Sequence, residues 1–134
     1  MPERAARTVL AFDFGLKRIG VAVGDAGLKS AHPLAVIAAP GFADIGRLVS
    51  EWQPAALVVG LPVAERGAHP LARRVERFAR QLEGRFGLPV ARVDERFSSL
   101  EAGHRLRGLR ARWRALDSVA AQLLLEQYYD ERAA

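Results

Sequence analysis

Three acidic residues, far apart in the sequence, are of the type that binds divalent cations. Asp13 lies inside an otherwise apolar run, Val9–Phe14 (VLAFDF), where a carboxylate is costly to bury unless a cation or a basic side chain compensates it. Glu95 follows a β-type run, and Asp117 precedes the apolar face of the last predicted helix. If the fold brings these carboxylates together, they form an oxygen-rich site suited to Mg²⁺ or Mn²⁺, and two such ions would support an in-line displacement at phosphorus.

Two of these carboxylates also have a purely structural interpretation. Asp13 can form a salt bridge with Lys17 or Arg18 in the turn that follows it. Asp117 stands where an N-cap or first-turn aspartate is common, because the exposed backbone N–H groups and the helix dipole favour an acid there. The residues alone do not decide between these interpretations and a metal site.

Glu95 has a neighbour, Asp94, that competes for the same role. Open α/β sheets place their ligand sites at the carboxyl ends of strands. Successive residues of a strand point to opposite faces, so only one of the two can face the pocket of Asp13. The structural alternative is a polar strand end ahead of a helix that Ser98 and Ser99 cap.

The composition excludes several other chemistries. The 134 residues include no cysteine, which excludes thiolate nucleophiles, zinc–thiolate sites and disulfides. Neither a Gly-x-Ser-x-Gly nucleophile turn nor a Gly-x-x-x-x-Gly-Lys-Ser/Thr phosphate loop occurs. No apolar stretch approaches the length of a membrane span and no signal-peptide pattern begins the chain, so we expect a cytoplasmic protein without a membrane partner.

The net charge of +5 rests almost entirely on arginine, since the only lysines are Lys17 and Lys29. Arginine binds phosphate through paired hydrogen bonds, which suits nucleic acid, although a GC-rich codon bias would also enrich it. The most basic segment, His104–Arg114, surrounds Trp113, which is either a stacking platform for bases or a core anchor. The predicted substrate-binding residues are Lys17, Arg18, Arg96, Arg110, Arg112 and Arg114.

Apolar periodicity predicts an α/β fold with the element order β-β-β-α-β-α-β-α-α, in a single domain over residues 1–134 with 1–6 frayed. Three closely spaced β-type runs favour an antiparallel meander, and the later alternation is typical of parallel strands with right-handed crossovers. The predicted strands are Thr8–Phe14, Ile19–Asp25, Leu34–Ala38, Ala56–Leu61 and Val90–Asp94. The predicted helices cover Ile45–Trp52 and Leu71–Phe86, begin again at Ser98, and finish with Leu116–Tyr129. Arginines on the polar side of the second helix, interpreted as a solvated face, are Arg73, Arg74, Arg77 and Arg80.

At the residues already singled out, the sequence resembles the YqgF/RuvX family, relatives of the RuvC resolvases in the RNase H-like superfamily. Asp13–Gly20 (DFGLKRIG) resembles the opening motif of that family, and Gly60–Pro62 (GLP) resembles its motif after the fourth strand. Asp94–Ser99 (DERFSS) and Asp117–Tyr128 (DSVAAQLLLEQY) resemble its last two blocks. The four blocks occur in the family's order and cover residues 8–130.

The resemblance implies an RNase H-like fold, with a five-stranded mixed sheet of order 3-2-1-4-5, an antiparallel strand 2, and helices on both faces. It also implies that Asp13, Glu95 and Asp117 are catalytic residues that bind two Mg²⁺ or Mn²⁺ ions. The loop Val63–Gly67 (VAERG) departs from the polar pattern of the family, and the basic segment before Asp117 is rich in arginine rather than lysine. Substrate contacts in these two segments are therefore left open.

The leading functional hypothesis is a metal-dependent nuclease that processes the 5′ end of precursor 16S ribosomal RNA, as a monomer or a homodimer. The second is a Holliday junction resolvase, which would act as a symmetric dimer because it cuts two strands. A third is a nucleic-acid-binding module without activity, against which the presence of all three carboxylates argues. The fourth, an actin-like phosphotransferase suggested by the Asp-Phe-Gly turn, needs two domains, for which this chain is too short.

Overall fold

The computed structural model describes residues 7–62, 69–95 and 113–133, and in the last range it describes side chains for 117–132. This part of the chain forms five strands and three helices, in the order β-β-β-α-β-α-β-α. The strands are β1 (Thr8–Phe14), β2 (Arg18–Asp25), β3 (His32–Ala38), β4 (Ala56–Pro62) and β5 (Val90–Glu95). The helices are α1 (Phe42–Trp52), α2 (Ala72–Phe86) and α3 (Trp113–Ala133).

The strands form one sheet in the order β3-β2-β1-β4-β5. β1 pairs antiparallel with β2, and β2 with β3, whereas the β1–β4 and β4–β5 pairs are parallel. The predicted strand order and the antiparallel orientation of strand 2 are therefore confirmed. Because β1, β4 and β5 run in the same direction, they end together at one edge of the sheet, which we call the carboxyl edge.

Alternation along the strands divides the apolar residues between the two faces of the sheet. In β1, Leu10 and Phe12 pack on the face that α1 and α2 cover. The residues that alternate with them along the strand, Val9 and Ala11, pack on the opposite face against Leu124 and its neighbours in α3. Helices thus cover both faces, as predicted, and the side of β1 on which a residue lies decides which helix it meets.

Side-chain hydrogen bonds to backbone carbonyls fix α3 on its face of the sheet. These bonds run from Gln127 Nε2 to Asp94 at 2.6 Å, from Gln122 Nε2 to Ala31 at 3.1 Å, and from Tyr129 OH to Ser30 at 2.8 Å. Burial and the nearby charge of Asp25 raise the pKa of Tyr129 to about 12, so this hydroxyl keeps its proton and its bond at neutral pH. The helix is therefore attached to the carbonyls of β5 on one side and of the β2–β3 turn on the other.

Helix α3 begins earlier than predicted, at Trp113 instead of Leu116. Nothing in the intervening Arg-Ala-Leu sequence stops a helix, because all three residue types have high helix propensity. Asp117 is consequently the fifth residue of α3, and the first turn contains no acid. The interpretation of Asp117 as an N-cap or first-turn residue is therefore wrong.

Several predictions lie outside the described residues. These are the frayed start at 1–6, the loop 63–67, the helix expected from Ser98, and the basic segment up to residue 112.

Strands β2 and β3 begin earlier than predicted, at Arg18 and His32. Backbone pairing includes these two polar residues, which apolar periodicity does not detect. Among the described helices, none contains an apolar stretch of the length that a membrane span needs.

Candidate active site

Asp13 projects from β1 on the face that α3 covers. Val9 and Ala11 already lie in the core on that face, and strand alternation puts Asp13 on the same side. β1 is the central strand of the sheet, and Asp13 is its penultimate residue. The carboxyl is therefore partly buried at the carboxyl edge, between the sheet and α3.

Glu95, the last residue of β5, shares this side of the sheet with Val93, whereas Asp94 points to the other side. Between β5 and β1 lies β4, where Gly60 has no side chain. A Cβ atom on Gly60 would lie 3.3 Å from Glu95 Oε2 and 3.0 Å from the Leu124 methyl groups. The glycine thus gives the Glu95 carboxyl room beside α3, where it hydrogen-bonds with Asp13.

The pKa of the Asp13 carboxyl is raised well above its ordinary value of 3.8. The largest cause is burial, followed by the charge of Glu95, the hydrogen bond with Glu95, and the charge of Asp117. A salt bridge to Lys17 or Arg18 would instead lower this pKa, so the interpretation of Asp13 as half of a structural ion pair does not fit. Burial and the two neighbouring acids therefore favour the protonated form of Asp13, whose carboxyl hydrogen-bonds with Glu95.

Asp117 reaches the same place from α3 and is held there by Arg18. The Arg18 Nε–H donates to Asp117 Oδ2 at 2.8 Å, and the two side chains are 38% and 28% exposed. This approach depends on Gly20 in β2, the register partner of Asp13, because a Cβ atom at Gly20 would lie only 2.0 Å from the Asp117 carbonyl oxygen. The third carboxylate is therefore close enough for its charge to act on Asp13.

The three predicted carboxylates thus converge, but they are not arranged as a finished metal site. Within the described ranges, no three acidic or histidine side chains have the spacing that would hold a metal ion. Asp13 and Glu95 are in direct contact, while Asp117 forms its ion pair with Arg18. In chemical terms the site is a set of hard oxygen donors, and a bound cation would favour the ionised form of Asp13.

The predicted substrate-binding residues divide into three groups. Lys17 is exposed in the turn between β1 and β2, next to the carboxyl edge. Arg18 lies at the start of β2 and contacts Asp117 instead of standing apart as a phosphate ligand. Arg96, Arg110 and Arg112 lie outside the described residues. The backbone of Arg114 belongs to α3, but its side chain is outside the described part of the structure.

Sequence reasoning did not find the structural role of two glycines. Gly20 and Gly60 each stand in a sequence motif, and they provide the space in which the Asp117 backbone and the Glu95 carboxyl approach the sheet. The available signal was a glycine inside a β-type run, which often marks a close approach of another segment. The sequence contained that signal but not the identity of the approaching segment.

Solved structures with a similar fold define the class of this protein. The crystal structure of Fowlpox virus resolvase with Holliday junction DNA superposes with a TM-score of 0.61 at 11% identity, covering 95% of this chain and 99% of that one. Thermus thermophilus RuvC with a Holliday junction substrate gives a TM-score of 0.53 at 16% identity and 96% coverage of both chains. At these identities the likeness concerns the fold, which is the RNase H-like fold of the resolvases.

Sequence comparison then identifies the family within that class. The family model described as "RuvX: Holliday junction resolvase" matches residues 7–131, and the chain belongs to this family. A protein of Methylobacillus flagellatus is 51% identical over the full length of both chains, and one of Burkholderia vietnamiensis is 51% identical over 92% of this chain and 89% of its own. Both relatives carry the name "Putative pre-16S rRNA nuclease".

Proposed function

We propose that this protein is a metal-dependent nuclease that hydrolyses phosphodiester bonds of RNA, with Asp13, Glu95 and Asp117 as its catalytic carboxylates. The observation that carries the proposal is the convergence of three acids from separate elements at the carboxyl edge: Asp13 contacts Glu95, and Asp117 is close enough to raise the pKa of Asp13. Carboxyls whose pKa is shifted by burial and by neighbouring charges cluster at functional sites. The names of the relatives favour precursor 16S ribosomal RNA as the substrate. We place the cut at the 5′ end of that precursor and the protein in the cytoplasm.

The donor set fits Mg²⁺ or Mn²⁺. All three groups offer hard oxygen atoms, and two of them already lie within hydrogen-bonding distance of each other. When bound, two such ions would activate the attacking water and stabilise charge on the leaving oxygen. For this, Asp13 would have to be ionised, and Asp117 would have to exchange at least part of its contact with Arg18.

The basic residues near these carboxylates would position the substrate. Lys17 in the exposed turn, and Arg18 once Asp117 has turned away, would donate to a phosphate beside the scissile bond. Arg96, Arg110, Arg112 and Arg114 are proposed to follow the backbone of the nucleic acid on either side. None of these residues needs to take part in proton transfer.

A branched-DNA substrate is the second candidate, because the matching family is described as a Holliday junction resolvase family. The chemistry of the site would be the same. A resolvase must cut two strands, which requires two sites related by symmetry and hence a stable dimer. Light scattering of the purified protein tests this second candidate: a stable dimer would favour it, and a monomer would count against paired cutting.

The proposed activity can be tested by offering precursor 16S RNA, single-stranded RNA, single-stranded DNA and a four-way junction side by side with Mg²⁺ or Mn²⁺. We expect the wild type to cleave RNA and the Asp13→Asn variant to cleave it at least about a hundredfold more slowly. Mutation of residues that only support a metal ligand already lowers activity by about 10–100-fold, and Asp13 is itself a proposed ligand. Asp130→Asn, an identical change at an exposed carboxylate near the other end of α3, is the matched control and should cleave normally. Equal rates for the wild type and Asp13→Asn would refute the mechanism.

A further inference from the structure

Helix α2 presents arginines on the side that faces away from the sheet. Its buried residues are Val75, Phe78, Ala79 and Leu82. Its exposed arginines on the opposite side, here called the arginine stripe, are Arg73, Arg74, Arg77 and Arg80. At 3.6 residues per turn, Arg73, Arg77 and Arg80 fall within a sector of about 60°, directly opposite the buried side.

The acidic residues of α2 do not neutralise the arginine stripe. Glu76 and Glu83 both turn toward the sheet, where they accept hydrogen bonds of 2.9–3.3 Å from the guanidinium of Arg92 in β5. The same bonds lower the pKa of the Glu83 carboxyl, so it stays ionised and committed to Arg92. Among the residues that the structure describes, no member of the stripe forms a salt bridge.

The position of the stripe on the helix is unfavourable for the helix itself. Arg73 and Arg74 lie in the first turn of α2, where the dipole favours acids, and no acid is present there. Helix stability therefore gives no reason for concentrating positive charge at this end. A ligand with negative charge would turn the same arrangement into a favourable one.

The first turn of α2 lies at the carboxyl edge. Arg92 Nη1 donates both to the Val90 carbonyl, at the start of β5, and to Glu83, so the later part of α2 lies beside the start of that strand. The beginning of α2 accordingly lies beside the end of the strand, where Glu95 is located. A polymer that crosses this edge meets the carboxylates on the α3 side and the arginine stripe on the α2 side.

We propose that the arginine stripe is a second nucleic-acid-binding surface, which binds the phosphate backbone of the RNA substrate as it crosses the carboxyl edge. The proposal rests on the proposed function, in that RNA is taken as the substrate. From Arg73 to Arg80 the helix rises about 10 Å, so the aligned guanidinium groups offer a line of positive charge along which a phosphate backbone can lie. The contact is with charge and not with bases, so it should not depend on base sequence.

Binding measurements with a matched charge control test this proposal. Asp13→Asn is used as the parent protein to prevent cleavage, and its affinity for fluorescently labelled precursor 16S RNA is measured by anisotropy at several salt concentrations. The stripe variant adds R73Q, R77Q and R80Q. The control variant adds R7Q, K29Q and R47Q, three exposed cations outside both proposed surfaces, and loses the same charge.

We expect the stripe variant to bind at least about tenfold more weakly than the control and to lower the slope of log affinity against log salt by about 2 to 3. A polyuridine strand should show the same loss. Equal affinity and equal slope in the two variants would overturn the proposal, because the stripe would then be only a solvated face. If the parent binds no RNA, this proposal and the proposed function both fail; if it binds and the variants match, only the stripe fails.

Discussion

Asp13 is a residue that the fold tolerates at a cost in stability. Its carboxyl is partly buried beside two other carboxyls, and every cause of its pKa shift acts in the same direction, toward the protonated form. The folded protein therefore binds a proton at Asp13 more tightly than the unfolded chain does. Proton linkage then requires stability to fall as the pH rises from about 3.9, the unfolded value, through the raised pKa of the folded state.

Asp13→Asn should accordingly stabilise the metal-free protein at neutral pH. The amide keeps the shape and the hydrogen bond to Glu95 but cannot become charged, so we expect a gain on the order of 0.5–2 kcal/mol, typical of sites where function opposes stability. Urea unfolding in EDTA at pH 4 and at pH 8 measures it. The gain should be larger at pH 8 than at pH 4, because at pH 4 only about half of the unfolded aspartate is ionised. A mutant less stable than the wild type at pH 8 would contradict the assignment of Asp13 as a strained carboxyl.

The sequence allowed a basic partner near Asp13 to be predicted, but not the correct pairing. Lys17 and Arg18 follow Asp13 closely in the chain, which made a local salt bridge reasonable. In the structure Arg18 instead bonds Asp117, a residue 99 positions away. Such a contact depends on how α3 lies across the sheet. The spacing of neighbouring residues in the sequence contains no information about that position.

At the scale of elements, the site depends on how closely α3 approaches β2 and β4. Gly20 in β2 lies under the backbone of Asp117, and Gly60 in β4 lies under Leu124 and Glu95. A Cβ atom at Gly20 would collide with the backbone of α3, whereas one at Gly60 would meet only side-chain atoms of Leu124 and Glu95. The hydrogen bonds of Gln122, Gln127 and Tyr129 hold the helix at that short distance.

Gly20→Ala should therefore displace α3 and disable the site. A Cβ atom 2.0 Å from a backbone oxygen leaves no rotamer to relieve the clash, so we expect a loss of at least about 1–3 kcal/mol in stability, together with loss of cleavage. Thermal unfolding followed by circular dichroism gives the first quantity, and the RNA cleavage assay gives the second.

Gly84→Ala provides the control for that substitution. No atom lies within 4 Å of a Cβ at this exposed position in α2, so the added methyl should stabilise the helix by about 0.5–1 kcal/mol. The two substitutions are identical in chemistry and should act in opposite directions. A similar effect of both on stability would show that α3 does not lie as close to β2 as described.

The elements themselves were largely predictable, and the exceptions have physical causes. Strands β1 and β4 and helix α2 could be located because each has a clear apolar pattern bounded by glycine or proline. The start of α3 could not be located, because the apolar pattern begins only at Leu116 and nothing in Trp113–Leu116 marks where the helix begins. The Arg92–Glu76–Glu83 network was equally invisible, since it joins a strand to a helix through long side chains that look like ordinary surface charges.

At the scale of the whole molecule, the three carboxylates can meet only after most of the chain has folded. Asp13 comes from the first strand, Glu95 from the last strand, and Asp117 from the last helix. The site is therefore a property of the complete sheet with α3 in place. A ligand that binds all three groups should stabilise the entire fold, because it binds the folded state and not the unfolded chain.

Divalent cations should for this reason raise the unfolding temperature of the wild type. At a concentration of 100 times Kd, binding adds about 2.7 kcal/mol, which corresponds to several degrees for a chain of this length. Asp13→Asn should show little of this shift, while Asp130→Asn should show all of it. The order of stability should thus reverse: in EDTA the Asp13→Asn protein unfolds at the higher temperature, and in saturating Mn²⁺ the wild type does. Parallel curves for the three proteins, with the same shift in each, would mean that the cation binds elsewhere and that the carboxylate cluster is not its site.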